Sequence, residues 1–293
     1  MPEDNSVDYV ALTNSSSPAL RRIQKTELDI LIIIDRICTE NGIRYWLDGG
    51  TLLGAVRHKG FIPWDDDVDI VMPRRDYERF ILLAPKLFPE EISLELSLEE
   101  KNNPSYAVPC KVRHKYSKIT KAHSDSMDDD GKGLFVDLIP LDSISPTRVG
   151  FFFDNSLKWI YRNLSKIKYH DNPYYKSIYF IFHRFLLLSP FLSPDTPIKI
   201  YSYFIRRYVI SGDFRYSDSE LIGYGFDVYW SRVFQSKHIY PLKRISFEGC
   251  EFLAPKNTDE VLKIFYGDDY MMLPDLGSRK PKHVVSVVFD VRD

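Results

Sequence analysis

The chain has 293 residues, with 39 Lys and Arg against 41 Asp and Glu. That length suits one large domain or a domain carrying an insertion, and the near balance of charge argues against a general nucleic-acid binder. The three cysteines, Cys38, Cys110 and Cys250, lie far apart, which gives neither zinc spacing nor a disulfide framework and suits a reducing compartment.

Residues 1–16 lack the basic start and apolar core of a signal peptide and read as a flexible tail. Ser17-Pro18 opens a helix, with serine as N-cap and proline at the first helical position. Leu20, Ile23, Ile30, Ile34, Ile37 and Cys38 recur at near-helical spacing, and Asn41-Gly42 stops the run. Ile43–Leu47 reads as a first strand. Asp48-Gly49-Gly50-Thr51 turns the chain, with Thr51 capping a helix over Leu52–Arg57. A glycine pair before a helix N-terminus lets the backbone approach a phosphate, and the helix dipole favours an anion there. Arg57, His58 and Lys59 either complement the helix C-terminus or contact phosphate.

Ile62-Pro63-Trp64 then leads to Asp65, Asp66, Asp67 and Asp69, followed by the apolar run Ile70-Val71-Met72. On a strand, Asp67 and Asp69 share one face while Val68 and Ile70 point to the core. Two carboxylates so placed repel unless a cation lies between them, and carboxylate oxygens suit the hard ions Mg²⁺ and Mn²⁺. The solvated loop that an acidic run usually makes is disfavoured here by the apolar frame.

A helix from Asp76 follows, with Tyr77, Phe80, Ile81, Ala84 and Leu87 as its apolar face. Strands are expected over Ile92–Leu98 and Tyr106–Val112, the latter at an edge or bulge because of Pro109. Lys115–Lys132 reads as polar, with a solvated Asp128-Asp129-Asp130. Gly133–Asp142 is a buried strand with Asp137 in its middle. A carboxylate there needs either a metal shared with Asp67 and Asp69 or a buried arginine, and Asp142 reads as a turn residue.

Residues 147–215 change character. Between Asn155 and Arg215 stand ten basic residues against three acidic ones, interleaved with aromatics. An inserted helical subdomain is expected, its surface either an ordinary basic face or a contact for an anionic membrane or lipid-linked acceptor. The run Ile178–Leu192 holds His183, Arg184 and Pro190 and is too short to span a bilayer. Ile245–Pro255 reads as a hairpin turning near Gly249, and Asn257 with Glu260 caps a helix over Val261–Phe265. The domain reading is a tail over 1–16, a catalytic core over 17–146, the insertion over 147–215, and a part completing the core over 216–293.

The stretch Tyr45–Gly54, with Arg57-His58, Ile62–Ile70, Phe135–Asp142, Phe247-Glu248-Gly249 and Tyr266–Tyr270, resembles the LicD family of phosphotransferases, whose wider relatives include fukutin and fukutin-related protein. The resemblance implies an α/β (α+β) fold: a nucleotidyltransferase-like mixed sheet with flanking helices and the helical insertion. Gly49-Gly50, Asp67 with Asp69, and Asp137 fit its glycine turn, paired acids and third carboxylate. The long gap from Gly50 to Asp67 leaves Asp65 as a rival ligand. The cysteines of the zinc site in the fukutin-related branch are missing, so zinc is not expected.

The implied activity is Mg²⁺- or Mn²⁺-dependent transfer of phosphocholine, ribitol phosphate or glycerol phosphate from a CDP-alcohol to a sugar hydroxyl, releasing CMP. The acceptor would be a glycan or lipid-linked glycan of the lipopolysaccharide, teichoic acid or capsule kind. Asp65, Asp67, Asp69 and Asp137 are the implied catalytic and metal residues. Asp137 either completes the metal shell or takes the acceptor proton. Gly49, Gly50, Thr51, Arg57 and Lys111 are candidates for the donor phosphates. Trp64 and Tyr270 are candidates for the headgroup or base, and Trp46 for the core. Two rivals stay open: a nucleotidyltransferase releasing pyrophosphate, and a non-catalytic scaffold. The expected location is cytoplasmic, with peripheral contact at the inner membrane face.

Overall fold

The computed structural model describes residues 10–11, 17–96, 109–121, 131–145, 147–169, 203, 221–228, 231–281 and 284–289. The described elements run β1 (Val10–Ala11), α1 (Pro18–Asn41), β2 (Trp46–Leu47), α2 (Gly49–His58), β3 (Asp69–Pro73), α3 (Arg74–Leu83), β4 (Ile92–Leu96), β5 (Cys110–His114), β6 (Ser117–Lys121), β7 (Phe135–Ile144) and α4 (Arg148–Tyr169). They continue with β8 (Leu221–Tyr224), β9 (Val233–Gln235), α5 (Ser236–Ile239), β10 (Lys243–Phe247), β11 (Cys250–Ala254), α6 (Thr258–Tyr266) and β12 (Val284–Phe289). The architecture is the α+β mixed sheet with flanking helices that the sequence led us to expect.

The main sheet has the order β2-β3-β7-β5-β4, with β8 on β7 and β9 on β8. Its axis is β7, ten residues long. One edge of β7 runs parallel to β3, with Asp69 opposite Asp137. The other edge is shared: the first half pairs antiparallel with β5 and the second half with β8. The β3–β7 pair is thus buried mid-sheet, and Val68, Ile70, Val71, Val136, Leu138 and Ile139 all lie in the core. A continuous apolar run is what such a position requires. A second sheet of order β1-β12-β6 and the β10–β11 hairpin complete the described strands.

Local chemistry sets the helix ends. Ser17 Oγ accepts from Ala19 N at 3.2 Å, Pro18 follows, and Gly42 ends α1 with φ of 60°. Helix α1 lies against β7 and β5, burying Ile23, Ile30, Ile34 and Ile37. Asn257 Oδ1 accepts from Glu260 N at 3.3 Å to start α6, and Gly267 stops it at φ 80°.

Several expectations need correction. The tail is tied down at Val10–Ala11, which pair with β12. The first strand is only Trp46–Leu47, and the following helix starts at Gly49, so Thr51 is not its cap. Asp67 precedes β3, so strand alternation does not place it beside Asp69. Leu87 is 42% exposed, because the helix tightens into a 3₁₀ turn at Ala84–Lys86 and swings it out of the apolar stripe. The polar segment after Lys115 contains β6, where buried Ser117 and Ile119 alternate with exposed Lys118. Strand β12 went unread altogether.

Asp142 is no turn residue. It lies within β7 and accepts Arg74 Nε at 2.8 Å and Nη2 at 3.2 Å. Arg74 is fully buried and also donates to Asp227 at 2.5 and 2.9 Å. The expected strand ends at 97–98 and 106–108, the triple aspartate at 128–130, the run 178–192 and most of the insertion lie outside the described residues. Among the described residues no helix is long and apolar enough to cross a membrane.

Candidate active site

The chain leaves β2 at Leu47, and Asp48 keeps extended backbone geometry, its N–H reaching Asp69 O at 3.1 Å. Gly49 then adopts φ of 46°, a left-handed value that glycine takes without strain. A Cβ built on Gly49 would stand 3.5 Å from Asp69 Oδ2, and one on Gly50 would stand 2.9 Å from Asp65 Oδ2. Two carboxylates therefore rest directly on the glycine turn, at the positive end of α2. Thr51 Oγ1 accepts from Asp69 N at 2.9 Å, so this hydroxyl fixes the start of β3.

The acidic loop is tied down from three sides. Gln24 Nε2, on α1, donates to Asp65 O at 2.9 Å. Asp66 is buried and accepts from Val284 N at 2.6 Å, which makes it a support for β12 and not a ligand. Glu248, in the hairpin turn, accepts from Phe61 N at 3.1 Å and pairs with Arg21. These contacts explain why a loop carrying Asp65, Asp66 and Asp67 holds one shape despite its charge.

Asp137 lies opposite Asp69 across the β3–β7 pair, and its N–H donates to Val68 O at 2.9 Å. Its basic partner is a lysine and not the arginine expected as the alternative to a metal: Lys111 Nζ stands 2.7 Å from Asp137 Oδ1, above the Phe135 ring at 3.6 Å. The buried arginine, Arg74, serves Asp142 instead. Asp69 is pushed well above the usual carboxylate range, first by burial, then by Asp67, Asp137, Asp48 and Asp65. Asp67 is thus the strongest charge acting on Asp69 despite lying off the strand.

The rim is basic and aromatic. Arg57 Nη1 donates to the carbonyls of Tyr270 and Met272 at 3.0 and 3.1 Å, binding α2 to the segment after α6. The Arg279 guanidinium lies 5.5 Å over the Trp64 ring, so the face of Trp64 already receives a cation. Tyr270 donates its hydroxyl to Asp259 at 2.8 Å, toward α6. Trp46 is buried, edge-on to Tyr240 at 5.8 Å, as a core residue.

Four groups escaped sequence reading. Asp48 is pushed up to about 6 by burial, held back by the Tyr224 hydroxyl and the Gly49 N–H. Tyr224, on β8, donates to Asp48 across 176 positions of sequence, which no local pattern could signal. The Tyr266 phenol is raised by burial and then by Asp65, Asp48, Asp69 and Asp67. Glu27 is buried on α1, and here a signal existed, because it interrupts the apolar stripe from Leu20 to Ile34.

An all-oxygen donor set of Asp65, Asp67, Asp69 and Asp137, with Asp65 filling the space that a side chain at Gly50 would need, fits a hard divalent cation in its chemistry. Among the described residues no three ligating side chains close on a single point, and Lys111 occupies one oxygen of Asp137.

A glycine turn before a helix, acids in the adjoining loop and at the start of the next strand, and a carboxylate on the parallel neighbour of that strand make up the candidate site of this α+β fold. The family model for the LicD/FKTN/FKRP nucleotidyltransferase domain matches residues 42–170 of this chain. Lipopolysaccharide cholinephosphotransferase LicD of Haemophilus influenzae is 28% identical over 275 residues, covering 90% of this chain and 96% of that protein. Ribitol 5-phosphate transferase FKRP of Homo sapiens is 45% identical over 51 residues, 17% of this chain and 10% of that protein. Ribitol-5-phosphate transferase FKTN of Mus musculus is 33% identical over 110 residues, 34% of this chain and 22% of that protein.

Proposed function

We propose that this protein moves a phospho-alcohol, phosphocholine foremost and ribitol or glycerol phosphate otherwise, from a CDP-activated donor to a sugar hydroxyl of a cell-surface glycan precursor. The observation that carries the reading is the seating of Asp65 and Asp69 on the Gly49-Gly50 turn, with Asp137 in register beside Asp69. Likeness to a cholinephosphotransferase along nearly the whole of both chains supports phosphocholine as the first alcohol to test.

Asp67, Asp69, Asp137 and Asp65 would hold Mg²⁺ or Mn²⁺. When bound, such an ion neutralises charge on the donor diphosphate and on the departing CMP. Gly50 and Thr51 offer backbone N–H groups at the start of α2 to a phosphate oxygen. Lys111 and Arg57 supply positive charge on either side. The acceptor oxygen bonds to the phosphorus that bears the alcohol, the bond from that phosphorus to the CMP oxygen breaks, and the acceptor proton passes to the carboxylate of Asp137. The Trp64 face, over which the Arg279 guanidinium lies, suits a quaternary ammonium. Exposed Val149, Phe152 and Trp159 on α4 support peripheral contact with an anionic membrane, where a lipid-linked acceptor would lie.

The test is thermal shift with Mg²⁺ and CDP-choline, CDP-ribitol, CDP-glycerol, UDP-glucose, CTP or ATP, followed by identification of the released nucleotide. Saturation at about 100 times Kd adds roughly 2.7 kcal/mol, a readable shift. A Mg²⁺-dependent shift with one CDP-alcohol and release of CMP is expected. A shift with CTP alone and release of pyrophosphate would replace the reading with a nucleotidyltransferase.

A further inference from the structure

Helix α1 turns one face toward the acidic loop. Gln24 on that face donates to Asp65 O at 2.9 Å. Glu27 follows three residues later, so it projects from the same side of the helix, one turn on. It is 1% exposed, and its Oε2 has no hydrogen-bond partner among the described residues. The largest charges bearing on it are Asp67, Asp66, Asp65 and Asp137, all of its own sign. Lys111 pairs with Asp137, and Arg21 with Glu248. A carboxylate in such a place is costly unless a cation or a proton joins it. Helix packing alone would place an aliphatic residue here, as it does at Ile23, Ile30 and Ile34.

We infer that Glu27 supports the cation-binding carboxylates of the site from the α1 side, strengthening the hold of Asp65, Asp67, Asp69 and Asp137 on a divalent cation. The inference rests on the reading of those four aspartates as the cation set. Glu27 is a positioning residue: it adds negative charge behind the loop that carries Asp65 and Asp67. Its contribution to the metal-free fold is unfavourable, and it is offset when a cation is bound. Removal of its charge therefore has opposite consequences for the fold and for the cation, which no packing or hydrogen-bonding role would produce.

The experiment uses the full chain, freed of metal with EDTA and titrated with Mn²⁺ by electron paramagnetic resonance and by calorimetry, with melting curves recorded with and without Mn²⁺. Glu27→Gln keeps the shape and removes the charge. The expected result is a Mn²⁺ Kd raised about 10–100-fold, the range for partners that support ligands, with a metal-free Tm equal to or above that of the unaltered protein. Glu27→Leu, matched to its apolar surroundings, gives the same loss should the glutamine variant fold poorly. Glu40→Gln, exposed further along α1, leaves Kd unchanged.

A Glu27→Gln protein that binds Mn²⁺ as before, or that melts lower in EDTA, overturns the inference. Asp67→Asn separates the two readings. If it abolishes Mn²⁺ binding while Glu27→Gln does not weaken it, only the role of Glu27 falls. If neither variant affects Mn²⁺, the cation set itself falls.

Discussion

Strand β7 carries two aspartates five positions apart, Asp137 and Asp142, that meet opposite fates. Asp142 is saturated: Arg74 donates to both its oxygens and Phe226 N reaches it at 2.8 Å. Arg74 divides itself between Asp142 and Asp227 and packs 4.9 Å from the Phe226 ring. Asp137 stands at the other end, opposite Asp69, which burial and then Asp67, Asp137, Asp48 and Asp65 push well above the usual carboxylate range. One cluster is neutralised within the protein and holds α3, β7 and the segment after β8 together. The other gathers Asp65 and Asp69 on a glycine turn at a helix start, with Asp137 in register beside Asp69. Buried charge alone does not mark a site; convergence of acids on a backbone turn that a ligand can approach does.

The comparison can be broken most severely at Arg74. Arg74→Met leaves Asp142 and Asp227 buried without their cation, and a loss of about 3–5 kcal/mol is expected in urea unfolding. A near-neutral result would mean that the cluster is not a structural pin. At the opposite end of the strand, Asp69→Asn relieves repulsion. Transfer should fall by about 10²–10³-fold, while the metal-free unfolding midpoint stays level or rises. Loss of stability with activity retained would reverse the assignment of the two clusters.

The pH dependence sharpens the contrast further. Asp48 in the folded protein titrates at about 6, above its unfolded value, so the folded state binds the proton more tightly. Its contribution to stability is present at low pH and lost as pH rises from the ordinary aspartate range through about 6. Asn at this position still accepts from Tyr224 and does not titrate. The stability of the unaltered protein relative to Asp48→Asn should therefore decline across that window by on the order of 2–3 kcal/mol in EDTA. A flat difference would refute the burial of a titrating carboxyl there.

The smallest expected effect is at Gly50. Alanine would bring Cβ within 2.9 Å of Asp65 Oδ2, a contact relieved by moving that side chain and not the backbone. Stability should hold while transfer falls about tenfold through a displaced carboxylate. Unchanged kinetics would remove Asp65 from the set.

Much of the site could be read in the chain because its parts are close in sequence: Gly49, Gly50, Asp65, Asp67 and Asp69 lie within one turn-helix-loop-strand unit. Even there the reasoning was partly mistaken. Alternation along a strand was expected to join Asp67 to Asp69, whereas Asp67 sits in a loop held by Gln24 and Glu248. Thr51 was expected to cap a helix and instead holds Asp69 N. Asp142 was assigned to a turn because nothing local announces that Arg74 pairs with it. Strand β12, and β6 within a polar segment, become strands by pairing with each other, a contact across more than 160 positions.

By itself, the sequence determined the helix caps, the glycine turn, the hairpin and the likeness to LicD-type proteins, because each depends on neighbours a few residues apart or on a contiguous motif. The tertiary structure alone decided the partners of the buried charges. Lys111 rather than arginine meets Asp137, Arg74 meets Asp142 and Asp227, Tyr224 meets Asp48, and Glu27 is buried on α1, one turn from the Gln24 that holds the acidic loop. Charge compensation is a property of three-dimensional proximity in a low-dielectric interior, and composition or spacing along the chain carries no record of it.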